Sequence, residues 1–138
     1  MKTSARNSLK GIVTEIKRGK INSEVVLSIG NGAVLKSIIT NDSVEEMELA
    51  VGDEIYAIVK ASFVMVAKEK PSFISTRNIV ETKVVEVKKG LVNGELKLAM
   101  GDQILTAVIT EDAVEELEFA PGDTAYALIK ANFVILAK

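Results

Sequence analysis

Apolar residues in this chain come in short bursts separated by glycine-centred turns, the rhythm of strands. Leu9 to Lys17 is rich in strand formers and stops at Arg18-Gly19, and Val80 to Lys88 stops in the same way at Lys89-Gly90. Val25, Leu27 and Ile29 alternate with polar or smaller residues; Leu96, Leu98 and Met100 do so around Lys97. Gly30-Asn31-Gly32 and Gly101-Asp102-Gln103 are hairpin signals leading into strands at Val34–Ile39 and Ile104–Ile109. A short helix should follow, capped by Asp42 or Ser43, with Glu45 and Glu46 in its first turn where the dipole favours negative charge. Val51-Gly52-Asp53 and Pro121-Gly122-Asp123 close that segment ahead of two last strands.

The pattern occurs twice because the sequence does. Residues 4–68 align with 75–138 at an offset of 71, falling to 70 after a one-residue deletion near Gly32. Ser4-Ala5-Arg6-Asn7 falls on Ser75-Thr76-Arg77-Asn78, and Tyr56-Ala57-Ile58-Val59-Lys60-Ala61 on Tyr126-Ala127-Leu128-Ile129-Lys130-Ala131. The expected organisation is one domain over 1–68, a linker over 69–73 and a second domain over 74–138. Within each half the order β-β-β-α-β-β suits a five-stranded, partly open Greek-key barrel. The fold class read from the sequence is therefore all-β: two tandem OB-like five-stranded barrels, each with a short helix.

Barrels this small leave apolar surface to cover, since a domain of about 60 residues buries only about 60% of what its unfolded chain exposes. Ile55–Val59 and Ala125–Ile129 are apolar on consecutive positions and want cover on both faces. Phe63–Ala67 and Phe133–Ala137 behave alike. That surface must go against the other half or another chain, so oligomerisation is expected.

Composition narrows the chemistry. Of 138 residues, 48% are hydrophobic and 26% charged, enough for a packed core. The absence of Cys removes disulfides, zinc fingers and thiol nucleophiles; the absence of His removes the commonest general base and transition-metal ligand. The net charge of −2 gives no overall attraction for nucleic acid or anionic lipid. No apolar run approaches the ~20 residues of a membrane span, and no signal-peptide core follows the N-terminus. The reading is a soluble cytoplasmic protein that is not an enzyme.

Groups rich in donors recur at matching points of the two halves. Ser4, Arg6 and Asn7 precede the first strand, with Ser75, Arg77 and Asn78 as their copies. Lys60 ends the apolar fourth strand and Lys130 its copy; Ser62 and Asn132 follow two residues later. Neither short motif contains a carboxylate. An arginine fork, hydroxyls and amide N–H groups suit a tetrahedral oxyanion, which only accepts hydrogen bonds. The competing description is of ordinary strand-end charges reaching into water.

Ser4-Ala5-Arg6-Asn7-Ser8-Leu9-Lys10-Gly11, Glu24-Val25-Val26-Leu27, Asp42-Ser43-Val44-Glu45-Glu46-Met47 and Tyr56-Ala57-Ile58-Val59-Lys60-Ala61 together resemble the molbindin (Mop) family of transport-associated OB domains. The resemblance runs nearly end to end in both halves, as in a tandem, di-Mop protein. It implies a cytoplasmic protein for molybdenum storage or homeostasis that binds molybdate or tungstate between subunits of a homotrimer. Molybdenum would be held through its oxygens, with no direct metal ligand and no cofactor. Carried over, Ser4, Ala5, Arg6 and Asn7 would supply one side of a site, and Lys60, Ala61 and Ser62 of a neighbouring unit the other. Ser75, Thr76, Arg77 and Asn78 with Lys130, Ala131 and Asn132 would form the copy. Here Thr76 replaces Ala5, Thr82 replaces Gly11 and Asn132 replaces Ser62. A second kind of site near the trimer axis would draw on the turns containing Gly19, Lys20 and Asn22, and Gly90 and Asn93.

Molybdate is a dianion at neutral pH, so burial requires pairing and full hydrogen bonding; one Arg plus one Lys neutralises it. Phosphate, partly protonated at pH 7, would leave its proton unsatisfied in a site made only of donors. Two rival functions remain. The same domain could be a molybdate-sensing module acting through a partner protein. An OB fold could also bind single-stranded nucleic acid, but that needs aromatic platforms in a basic groove, and four Phe, two Tyr and no Trp at net negative charge argue against it. Phe63 and Phe133 are expected in the core, and Glu45-Glu46 and Glu115-Glu116 as solvated helix residues.

Overall fold

A computed structural model describes residues 2–138. Its first four strands are β1 (Arg6–Arg18), β2 (Asn22–Gly30), β3 (Ala33–Thr40) and β4 (Glu54–Lys60), with helix α1 (Asn41–Glu46) between β3 and β4. A 3-10 turn at Ala61–Phe63 leads to β5 (Met65–Ala67). The second half repeats this as β6 (Asn78–Lys88), β7 (Asn93–Met100), β8 (Gln103–Thr110), α2 (Glu111–Leu117), β9 (Thr124–Ile129), a 3-10 turn at Ala131–Phe133 and β10 (Ile135–Ala137). All strand pairs are antiparallel.

Two five-stranded sheets result, in the orders β10-β4-β1-β2-β3 and β5-β9-β6-β7-β8. Each sheet thus takes four strands from one half and its last from the other. Ile135 pairs with Ile58 across β10 and β4, and Met65 with Leu128 across β5 and β9. The long first strand of each half serves two partners, bending at a bulge between Val13 and Glu15 in one half and between Val84 and Glu86 in the other.

The exchange covers the apolar fourth strands within the chain and leaves Phe63, Met65, Phe133 and Ile135 exposed. Ile55, Ala57 and Val59 are fully buried, and Ile58, opposite the exchanged strand, is 8% exposed. Leu9, Leu27 and Leu35 fill the same core as Leu96, Leu98 and Leu105. The exchanged strands also finish the helices of the opposite half. Lys68 donates to the carbonyls of Leu117 and Glu118, and Lys138 to those of Met47 and Glu48, placing a cation where each helix ends in unpaired carbonyls.

The helix caps differ from the sequence reading. Thr40, the last residue of β3, is the N-cap and accepts from the Ser43 amide; Thr110 does the same for Ala113. The helix therefore starts earlier than Asp42 or Ser43 would set it. Glu45 and Glu46 close α1 rather than opening it, and Asp42 is the acid of the first turn. Phe63 and Phe133 are not core residues either. Each is 42% exposed, and their rings stack on one another with centroids 4.7 Å apart. Each satisfies the other across the junction between halves.

Candidate functional site

The register of β1 and β4 sets Arg6 opposite Lys60, and the Ala61 amide donates to the Ala5 carbonyl. The two motifs of the first half are thus backbone neighbours in one unit. Their cations diverge. Lys60 lines a cavity of about 450 Å³ with Ser4, Ala5, Ile58, Phe63, Phe133 and Ile135, its ammonium 5.5 Å from the Phe63 ring centre. Among the described residues no carboxylate lines that cavity. Arg6 turns the other way, into a cleft of about 290 Å³ formed by Lys88, Lys89, Gly90, Asn93 and Glu95 of the second half.

Arg6 has φ 79°, a left-handed conformation that costs a residue with a Cβ about 1 kcal/mol or more. Its guanidinium is paired with the Glu95 carboxylate. The hydrogen bond from Arg6 holds the Glu95 carboxyl below the usual glutamate range, against the opposing effect of its partial burial. The second half repeats the arrangement loosely. Arg77 does not share the left-handed backbone, and its Nε lies 3.8 Å from Glu24. Lys17, Arg18, Gly19, Asn22, Lys36 and Glu24 surround it in a cleft of about 450 Å³. An acid therefore faces each arginine, which the local motifs, free of carboxylates, did not reveal.

Asn7 and Asn78 have other work. The Asn7 amide donates to the Thr106 carbonyl at 2.8 Å and accepts from the Thr106 N–H at 2.7 Å. Asn78 makes the same two bonds with Lys36, at 2.8 and 2.7 Å. Both asparagines are buried and mimic a strand partner, sewing β1 to β8 and β6 to β3. Each spends its Oδ1 and one Nδ2 hydrogen on this support. Gln103 adds a second stitch in one half only, accepting from the Lys10 N–H and donating to the Lys10 carbonyl.

Ser62 opens into a third cavity beside Asn93 and Thr110, apart from Lys60. Ala61 and Ala131 are buried, whereas Ser75, Lys130 and Asn132 are exposed; the Thr76 hydroxyl is buried without a partner. In the turns, the Gly19 N–H is taken by the Asn22 carbonyl and the Gly90 N–H by the Glu111 carboxylate. A Cβ at Gly19 would sit 2.7 Å from the Asn22 oxygen and one at Gly90 2.3 Å from that of Asn93, so these turns need glycine for closeness. Lys20 is exposed. Asn93 borders both the Arg6 cleft and the Ser62 cavity, joining residues that the sequence assigned to two kinds of site.

Among the described residues no group of His, Cys, Asp or Glu is placed to hold a metal ion, and no helix is long and apolar enough to cross a membrane. The basic clefts missed in the sequence draw on Lys88 and Lys89, and on Lys17, Arg18 and Lys36. The one local signal for their acids is that Glu24 and Glu95 occupy matching positions in the two halves.

The TOBE domain family matches residues 3–66 and again residues 74–136. A solved structure of the cytoplasmic molybdate-binding protein ModG, in a form with molybdate bound, is 40% identical, covers 99% of both chains and superposes with a TM-score of 0.92. The molybdenum-pterin-binding protein MopA of Rhodobacter capsulatus is 44% identical over 99% of this chain and 52% of its own length. The molybdenum transport protein ModE of Azotobacter vinelandii is 39% identical over 99% of this chain and 51% of its own. The chain spans about half the length of these curated relatives.

Proposed function

This chain belongs to the TOBE domain family, carrying the domain twice, and from that premise we propose that it is a molybdate- and tungstate-binding protein. One observation carries the proposal. A structure with molybdate bound matches this chain along its whole length at 40% identity, with the same fold. In this reading the protein is a binding protein and not an enzyme, works in the cytoplasm, and stores or buffers molybdenum as its oxyanion without a cofactor.

The cavity lined by Ser4, Ala5 and Lys60 has the chemistry such a ligand needs. It offers an ammonium, a hydroxyl and backbone groups against an apolar wall, and no competing acid. Lys60 alone leaves a dianion half neutralised, so a second cation has to reach it. An arginine from a neighbouring subunit of a homotrimer would supply it, and the exposed Phe63, Phe133 and Ile135 around this face offer apolar surface for such packing. The Lys130 face of the second half, with Ser75 and Thr76, would be the weaker copy. Asn7 and Asn78 support the site by holding β1 to β8 and β6 to β3.

Equilibrium dialysis against molybdate, with tungstate, sulfate and phosphate as competitors, tests the function. Molybdate and tungstate should bind, sulfate more weakly and phosphate hardly at all; a protein that prefers phosphate at pH 7 refutes the donor-only cavity. Sedimentation equilibrium tests the assembly, and a monomer that still binds molybdate would place the site within one chain. A second reading, a molybdate-sensing module acting through a partner, draws on the doubled length of the curated relatives. It requires a partner whose association changes when molybdate is added.

A further inference from the structure

Arg6 is the cation nearest in sequence and register to the Ser4–Lys60 cavity, yet it faces away from it. Its Cα is paired with that of Lys60, while its guanidinium is turned to Glu95 across the junction between halves. Glu95 is the one carboxylate among the described residues lining that cleft, amid Lys88, Lys89 and Arg6. A carboxylate against a guanidinium makes the contact that an oxyanion would make, with the same acceptor-only oxygens. Glu24 faces Arg77 in a looser version of this relation, 3.8 Å away.

We propose that Glu95 and Glu24 are latches: each occupies its arginine as an internal stand-in for the oxyanion, and ligand binding exchanges the carboxylate for the anion. The proposal rests on the molybdate-binding reading above and adds to it the residues that set affinity. Three observations make exchange feasible. The Arg6 side chain is 52% exposed and has room to swing, whereas that of Glu95 is 18% exposed and stays with β7. The freed Glu95 keeps favourable charges nearby in Lys88 and Lys97. The freed Glu24 likewise keeps Lys17, 3.9 Å away. Neither acid is stranded when its arginine leaves, which removes the usual penalty for breaking a half-buried pair.

The latch also differs between halves. Arg6 is closed on Glu95, whereas Arg77 stands 3.8 Å from Glu24. Unlatching should therefore matter more in the first half.

The test uses the full-length protein, molybdate as the probe and two readouts. Glu95→Gln keeps size and shape and should tighten molybdate binding about tenfold, and Glu24→Gln about twofold. Glu86→Gln removes an acid paired with Lys88 and Lys97 but with no arginine, and should change affinity less than twofold. In the unmodified protein, the carboxyl carbon resonance of Glu95 should shift as molybdate displaces it; this readout needs no variant to fold. Both results are required. Affinity unchanged or weakened in Glu95→Gln, a similar gain in Glu86→Gln, or an unmoved resonance overturns the latch while leaving molybdate binding by the unmodified protein intact. Failure of Glu95→Gln and the unmodified protein alike to bind overturns the latch and the function together.

Discussion

The two halves share a fold and differ where they touch each other. In the first half, β1 is stitched to β8 twice, by Asn7 to Thr106 and by Gln103 to Lys10. In the second, β6 is stitched to β3 once, by Asn78 to Lys36, and Ala33 stands at the position corresponding to Gln103. Arg6 is left-handed and closed on its acid; Arg77 is neither. Gly11 leaves the first strand bare, whereas Thr82 ties its hydroxyl to the Ala125 carbonyl. Duplication preserved the backbone because the core positions match, and allowed divergence at the junction because each half meets a different neighbour there.

The largest effect should come from removing the lysines. Lys60→Ala should cost about 3–5 kcal/mol of molybdate binding at the first-half sites only, by leaving a dianion uncompensated. Lys130→Ala should do the same at the second-half sites, so each variant halves the stoichiometry in dialysis. Loss of all binding in either variant would mean that the halves build one site.

Stability should divide the halves next. Asn7→Ala strands the buried N–H and carbonyl of Thr106 and should cost about 2–4 kcal/mol in urea unfolding. Lys36 is less buried than Thr106, so Asn78→Ala should cost about 1–2 kcal/mol. Equal costs would erase the distinction between the stitches. The missing stitch can also be supplied: Ala33→Gln should reach the Glu81 backbone and add about 0.5–1 kcal/mol, with Gln103→Ala losing as much.

The smallest effect is on acid sensitivity. The Ala50 N–H, and after it Lys138, hold the Asp53 carboxyl below its ordinary range, and Arg6 does so for Glu95. A lowered folded-state value contributes stability that is complete above the ordinary carboxylate range and is lost as pH falls through the lowered value. Asp53→Asn and Glu95→Gln should each flatten that acid limb of an unfolding profile. An unchanged limb would show that the pairs contribute nothing to folding.

Much of this was legible in the chain. The repeat, the strand rhythm and the glycine turns place nearly every element; the Ser-Ala-Arg-Asn and Lys-Ala motifs, expected to face each other across neighbouring units, instead pair within one half along β1 and β4. What escaped the sequence is what two copies do to each other. Met65–Ala67 and Ile135–Ala137 carry the same apolar pattern, so no local preference says which sheet each joins. Phe63 and Phe133 look like core residues because each finds its partner 70 residues away in its own copy. Glu95 lies 89 residues from Arg6, and no spacing rule links them. Thr40 carries no cap signal of its own in the sequence, because it ends a strand while starting a helix.

The exchanged last strands make folding a question of concentration. A barrel that borrows its fifth strand cannot finish itself; a half-length chain of this design would have to meet a twin, and would come apart on dilution. Joining the halves through the ten residues between Ala67 and Asn78 turns that encounter into an intramolecular one. A short flexible connection holds its ends at an effective concentration of order millimolar, far above that of a scarce protein. The tandem chain is thereby a dimer that dilution cannot dissociate. Cutting the connection should leave two fragments that still hold each other, now at the mercy of mass action.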